Sequence, residues 1–217
     1  MNKTIGVTRF PGTNCDFDVF EAIQSLDLTP KWLWYGDHFS FSDVTAVIIP
    51  GGFSYGDYLR CGALAAKTPV MNSVREFAQR GLPVLGICNG FQILCESQLL
   101  PGTLLPNRDS RFIDQWVELK LVNGCRRFGP ESKGVSVRLP VAHGDGRFYM
   151  DADGQKSIED RGQVWWSYQE DINGSIGQIA GVMNENKNVA GLMPHPERAM
   201  TSWMGGTDGK SFFTSLF

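Results

Sequence analysis

The chain has 217 residues and a formal net charge of −3 with no basic run, which argues against a nucleic-acid or membrane-surface role. Hydrophobic residues make up 42% and charged residues 20%, the balance of a soluble globule, and the length predicts one domain spanning 1–217. Apolar runs fall short of the ~18 residues that span a bilayer, and the first residues lack a signal peptide's apolar stretch, so a cytoplasmic location is expected.

Residues 4–8 read as a first strand, followed by the loop Arg9-Phe10-Pro11-Gly12-Thr13-Asn14. Residues 16–25 carry Phe17, Val19, Phe20 and Ile23 at helical spacing. Residues 32–35 suggest a second strand, and 45–49 form the continuous apolar run of a strand covered on both faces. Residues 58–67 and 74–80 read as helices, and 83–87 as another buried strand. This alternation predicts an α/β fold: an open, mostly parallel central sheet with helices on both faces. Such sheets bind ligands at the edge where the loops leave the strands. The second half changes character. Residues 115–121, 134–140, 163–168, 175–183 and 189–193 are closely spaced strand-like runs, expected to add antiparallel strands. Residues 101–110 and 123–133 read as surface loops.

The five cysteines (15, 61, 88, 95 and 125) are widely spaced, and with only three histidines no metal site is expected; the thiols read as free. Cys88 stands apart. Gly86-Ile87-Cys88-Asn89-Gly90 follows a buried strand and opens a helical segment, the Gly-x-Cys-x-Gly form of a nucleophile elbow with sulfur for oxygen. A cysteine there sits at a helix N-terminus, which favours the thiolate. Taken alone, the motif also fits a buried apolar thiol. A base is offered by Met193-Pro194-His195-Pro196-Glu197-Arg198, at the end of a late strand. The prolines exclude helix, and residues two apart in extended chain face the same side. Glu197 can therefore orient His195, the base-plus-orienter logic of covalent catalysis. A rigid turn with an ordinary histidine is the plainer reading. His143, in Ala142-His143-Gly144-Asp145-Gly146, is the rival base. Pro50-Gly51-Gly52 ends an early strand, and the Gly52 N–H with that of Asn89 could hold an oxyanion; a plain glycine turn is the alternative.

Together these segments resemble the class I, or triad, glutamine amidotransferases. Phe10 to Asp16, Pro50 to Arg60, Gly86 to Gln92, Ala142 to Phe148 and Met193 to Arg198 bring the resemblance closer, to the glutaminase subunits of phosphoribosylformylglycinamidine synthases. It runs along nearly the whole chain; Thr13, Asp145 and Phe148 depart mildly from the family pattern. The resemblance implies a flavodoxin-like amidotransferase fold. By it, Cys88 is the nucleophile, His195 the base and then acid, Glu197 its orienter, and Gly52 and Asn89 the oxyanion donors. It also implies that Gln92, Arg111 and Phe112 bind glutamine. It implies no cofactor in this chain, with ATP and magnesium used by a large synthetase subunit, and a small third subunit in the complex. Two rivals keep the elbow cysteine: a Cys-His-Glu peptidase or hydrolase, and a non-enzymatic redox or stress protein.

Overall fold

The computed structural model of the chain describes residues 3–216. In the first half, strands β1 (Thr4–Arg9), β2 (Thr29–Trp34), β3 (Ala46–Ile49) and β4 (Val84–Ile87) alternate with helices α1 (Asp16–Gln24) and α2 (Pro69–Gln79). Helix α3 (Asn89–Glu96) follows β4. The second half supplies β5 (Thr103–Leu105), β6 (Ile113–Leu121), β7 (Ser136–His143), β8 (Arg147–Tyr149), α4 (Ala152–Asp160), β9 (Val164–Tyr168), β10 (Ile179–Met183), β11 (Val189–Leu192) and α5 (Lys210–Thr214). Nine strands form one sheet in the order β2-β1-β3-β4-β11-β10-β9-β6-β7. The run from β2 to β11 is parallel, and β10, β9, β6 and β7 extend it antiparallel. The short pair β5–β8 stands apart from it.

Burial follows this division. β3, β4 and β11 are buried at every residue, as a strand covered on both faces must be. β7 alternates between exposed and buried along its first residues, the pattern of a sheet with one face in water. The order β2-β1-β3 reverses direction at β1, and open α/β sheets place ligands outside the carboxyl ends of strands at such a point. The C-terminal ends of β1, β3, β4 and the parallel partner β11 lead into the segments that begin at Phe10, Pro50, Cys88 and Met193.

Several expectations are corrected. Residues 58–67 form turns and one 3-10 turn at Ala65–Lys67 instead of a helix. Leu59 and Gly62 take φ of 69° and 80°, and a Cβ at Gly62 would meet the Ile93 backbone nitrogen at 2.8 Å, so this segment is shaped by close contact with α3. The helix placed at 74–80 starts at Pro69, where proline suits the first helical position. In the run read as 175–183, Ile176–Gln178 make a 3-10 turn, with Gly177 and Gln178 at positive φ, before β10 begins. The stretch at 134–140 enters its strand at Ser136 and continues to His143. The loop at 101–110 contains β5, and the loop at 123–133 buries Phe128 completely. Helix α4 was not anticipated; the Asp151 carboxylate caps it by accepting from the Gly154 N–H at 2.8 Å.

Candidate active site

Cys88 occupies the turn between β4 and α3 with φ 51° and ψ −108°. Few L-residues adopt this backbone, and its survival here means the surroundings enforce it. They do so with glycines. A Cβ at Gly90 would run into the Ile49 carbonyl, and one at Gly86 would sit 2.6 Å from the Gly90 oxygen. The Cys88 N–H donates to the Leu192 carbonyl at 2.8 Å, tying the elbow to the end of β11. The thiol is 5% exposed, and its sulfur lies 3.8 Å from the Ala142 carbonyl.

From the next strand end, the His195 N–H donates to the Pro140 carbonyl at 2.8 Å, fixing the segment against β7. The imidazole Nδ1 meets Glu197 Oε1 at 2.6 Å, and both side chains are almost fully buried. Because a carboxylate accepts, Nδ1 carries the proton and Nε2 is left to exchange protons with the sulfur side. Nε2 closes no hydrogen bond, yet Cys88 is near enough to affect the ring. Burial alone would lower the proton affinity of His195; the neighbouring Glu197 and Cys88 outweigh it and raise the pKa above the usual histidine value. The structure thus brings Cys88, His195 and Glu197 together.

The Pro50–Gly52 loop covers this pair. A Cβ at Gly51 would lie 2.8 Å from His195 Cε1 and 3.3 Å from Cys88 Cβ. Gly52 has φ 128°, and a Cβ on it would meet Asn14 within 2.6 Å. Neither the Gly52 nor the Asn89 N–H has an acceptor among the described residues. The Asn89 side chain braces the loop: its Oδ1 accepts from the Ser54 N–H at 3.2 Å, and its Nδ2 donates to Asp57 Oδ1 at 3.3 Å and Gln92 Oε1 at 2.8 Å. Gln92 is buried, and its Nε2 donates to the Asp145 carbonyl at 2.7 Å, so this amide joins the elbow helix to the 144–146 loop. Cys61 donates to Asp145 Oδ2 at 3.1 Å; burial first, then these acidic neighbours, push its thiol pKa up. Burial likewise raises the Asp57 carboxyl.

His143 is buried too. Its Nδ1 is 3.1 Å from Asn107 Oδ1, which also accepts from the Gly146 N–H, while Asn107 Nδ2 donates to the Arg111 and His143 carbonyls. Those two carbonyls fix the amide's orientation, so His143 donates through Nδ1. Burial, with His195 adding to it, lowers its pKa to about 4 and keeps it neutral. Its Nδ1 is therefore held by an amide and not by a carboxylate, and His195 alone has the orienter that general-base chemistry uses. Arg111 and Phe112 are exposed and line a cleft with Asn107, Asp109 and Asn173, a cleft that Cys88 does not line. Sequence reasoning missed Asn107 as the organiser of this edge, and gave no role to Cys15 or Arg198. Cys15, His195 and Glu197 offer donor atoms within 4.8 Å of one another, but Nδ1 is committed to Glu197 and the Arg198 guanidinium donates to the Cys15 sulfur, which leaves the set ill-suited to a cation.

Residues 2–210 match the CobB/CobQ-like glutamine amidotransferase domain. The chain is 49% identical to the phosphoribosylformylglycinamidine synthase subunit PurQ of Prochlorococcus marinus, over 99% of this chain and 98% of that one. The chain belongs to the PurQ family of glutamine amidotransferases. Its PurQ relative in Chlorobaculum tepidum is 45% identical over 99% of this chain and 96% of its own length. A chain of the solved PurLQS from Thermotoga maritima superposes with a TM-score of 0.91 at 42% identity, covering 100% of this chain and 98% of the other. Another glutamine amidotransferase from Thermotoga maritima, at 17% identity and a TM-score of 0.61 over 100% of this chain and 90% of the other, shares the fold. No helix among the described residues is long and apolar enough to cross a membrane.

Proposed function

We propose that the chain hydrolyses glutamine to glutamate and ammonia, and supplies the ammonia to the synthetase subunit that makes formylglycinamidine ribonucleotide from formylglycinamide ribonucleotide in purine biosynthesis. The observation that carries this reading is Cys88, held at φ 51° on the elbow, beside a buried His195–Glu197 pair. The thiolate attacks the side-chain amide carbon of glutamine, and the developing oxyanion lies between the Gly52 and Asn89 N–H groups. His195, protonated and held by Glu197, gives its Nε2 proton to the departing ammonia, leaving a thioester on Cys88. Water attacks that thioester, His195 takes the water's proton, and glutamate leaves as the thiol reforms. Arg111 and Phe112, exposed in the cleft they share with Asn107 and Asn173, receive the α-amino and α-carboxylate ends of the substrate, and Gln92 keeps one amide hydrogen for it. ATP and magnesium belong to the large synthetase subunit, a small third subunit completes the assembly, and the complex works in the cytoplasm.

The test is Cys88→Ala in the assembled complex. Glutamine-dependent synthesis should fall to background, while synthesis driven by added ammonium should persist, because Cys88 acts only in releasing ammonia. Retained glutamine turnover would sink the assignment.

A further inference from the structure

Asn107 lies in the loop between β5 and β6, 2% exposed, and its side chain is used to capacity. Nδ2 donates to the Arg111 carbonyl at 2.8 Å and to the His143 carbonyl at 2.9 Å. Oδ1 accepts from the Gly146 N–H at 3.1 Å and from His143 Nδ1 at 3.1 Å. An amide has two donor hydrogens and two acceptor lone pairs, so nothing is left over. The backbone adds to this: the Asn107 N–H donates to the Gly144 carbonyl and the Ser110 N–H to the Asn107 carbonyl, both at 2.8 Å.

These bonds join two pieces of chain far apart in sequence. On one side, the turn 107–111 closes on itself, with Ser110 at φ 52°, and delivers Arg111 and Phe112 to the cleft. On the other, the 143–146 loop is fastened to the elbow helix, because the Asp145 carbonyl accepts from Gln92 Nε2 at 2.7 Å. A run of hydrogen bonds therefore leads from α3, which begins just after Cys88, through Gln92, the 145–146 backbone and Asn107 to the Arg111 backbone. The neighbouring amide does not duplicate it. Asn173 Nδ2 donates to the Gly146 carbonyl at 2.9 Å and the Asn173 carbonyl accepts from the Arg108 N–H at 3.0 Å; neither bond involves Arg111. A substrate gripped at both ends, its amide carbon at Cys88 and its α-groups at Arg111, needs those points at one separation, and a misplacement of about 1 Å is felt strongly.

We propose that Asn107 is a positioning residue for substrate recognition: its amide ties the Arg111–Phe112 wall of the cleft to the 143–146 loop, and so sets the separation between Cys88 and the groups that hold the α-amino and α-carboxylate ends of glutamine. The proposal rests on the reading of that cleft under the proposed function and adds the residue that keeps the cleft in register with the elbow.

The experiment uses the full complex. Steady-state kcat and KM for glutamine are measured for Asn107→Ala, Arg111→Ala and the double variant. Alongside, Cys88 is labelled with iodoacetamide, which lacks the α-groups, and with an electrophilic glutamine analogue, which has them; peptide mapping gives each rate at Cys88. Asn107→Ala should raise KM about tenfold, the effect of one lost hydrogen bond, with kcat close to the parent value. Labelling by the analogue should slow by a similar factor, and labelling by iodoacetamide should keep its parent rate. In the Arg111→Ala background, Asn107→Ala should add little to KM, because both act through one side chain. A parent KM in Asn107→Ala, while Arg111→Ala raises it, would overturn the proposal and leave the cleft reading standing. A fall in kcat at parent KM would overturn it too, since lost stability removes active protein without changing the affinity of the rest. So would equal slowing of both reagents, or multiplied KM effects in the double variant. A parent KM in Arg111→Ala removes the cleft reading, and the proposal with it. If Asn107→Ala does not fold, Asn107→Ser decides in the same terms. Its hydroxyl is one bond shorter than the amide, so a raised KM at near-parent kcat supports the proposal and a parent KM sinks it.

Discussion

At the scale of single residues, the site uses two buried histidines with opposite electrostatic fates. His195 gains proton affinity from Glu197 and Cys88 in spite of its burial; His143 loses it to burial, with His195 adding to the loss. The second has a consequence for stability. In the unfolded chain His143 titrates near the ordinary value of ~6.5, but folded it holds out to about 4. Between those values the unfolded state takes up the proton first, so folding stability is full above ~6.5 and declines as pH falls toward 4. The slope is about 1.4 kcal/mol per pH unit for one group. His143→Gln should therefore lose less stability than the parent between pH 6.5 and 4.5, read as the shift in urea midpoint. An equal shift in both proteins would show that this ring does not stay neutral in the fold. A second residue-scale expectation concerns labelling. A glutamine analogue with an electrophile at the side-chain carbonyl should modify Cys88 and spare Cys15, Cys61, Cys95 and Cys125, as peptide mapping would reveal. Cys88 alone among them sits on the strained turn between β4 and α3, whereas burial first pushes the Cys15, Cys61 and Cys95 thiols up in pKa.

At the scale of elements, the glycines of Pro50–Gly52 set how near the oxyanion loop comes to the chemistry. Gly51→Ala places a methyl 2.8 Å from His195 Cε1 and 3.3 Å from Cys88 Cβ, so the ring or the loop must shift. Glutamine turnover should drop by about 10²-fold or more, comparable to losing one oxyanion donor, while ammonium-dependent synthesis changes little; unchanged glutamine turnover would mean the loop can step back freely. Much of this was legible in the sequence. The elbow, the Pro-Gly-Gly turn and His-Pro-Glu each encode a local constraint of backbone closeness or fixed φ, and local constraints survive in a one-dimensional reading. β3 and β4 were legible because burial on both faces writes a continuous apolar run, but β11, expected among the antiparallel additions, pairs parallel with β4. What failed was contextual. Residues 58–67 have a helical composition, yet contact with α3 overrides it. Helix α4 is polar outside one buried residue, Ile158, so periodicity gave little signal, although Asp151 was a usable cap. Asn107 left no trace at all: its importance comes from four partners drawn from residues 111, 143 and 146, which meet only in three dimensions.

At the scale of the whole molecule, the oxyanion loop continues outward into a strained and exposed ribbon. Tyr55, Asp57 and Leu59 take positive φ, and Tyr58 and Leu59 are 74% and 87% exposed. Strain of order 1–3 kcal/mol per residue is comparable to the gap between two loop arrangements. The isolated subunit should consequently be a slow glutaminase, and the complex supplied with ATP and ribonucleotide a faster one; equal steady-state rates would rule out control through this loop. The pairing of β4 with β11 carries a different implication. Leu192 lies in register with Ile87, so nucleophile and base arrive on adjacent strands from distant parts of the chain. Contacts of such long sequence separation form slowly, after the entropy of a large loop has been overcome. A ribosome that has released only the first half of this protein has made an elbow without a base: the thiol exists, but nothing beside it can take or give a proton. Reactivity is thus withheld until the last strand docks, and refolding monitored by recovered turnover should lag the recovery of the first half's helical signal.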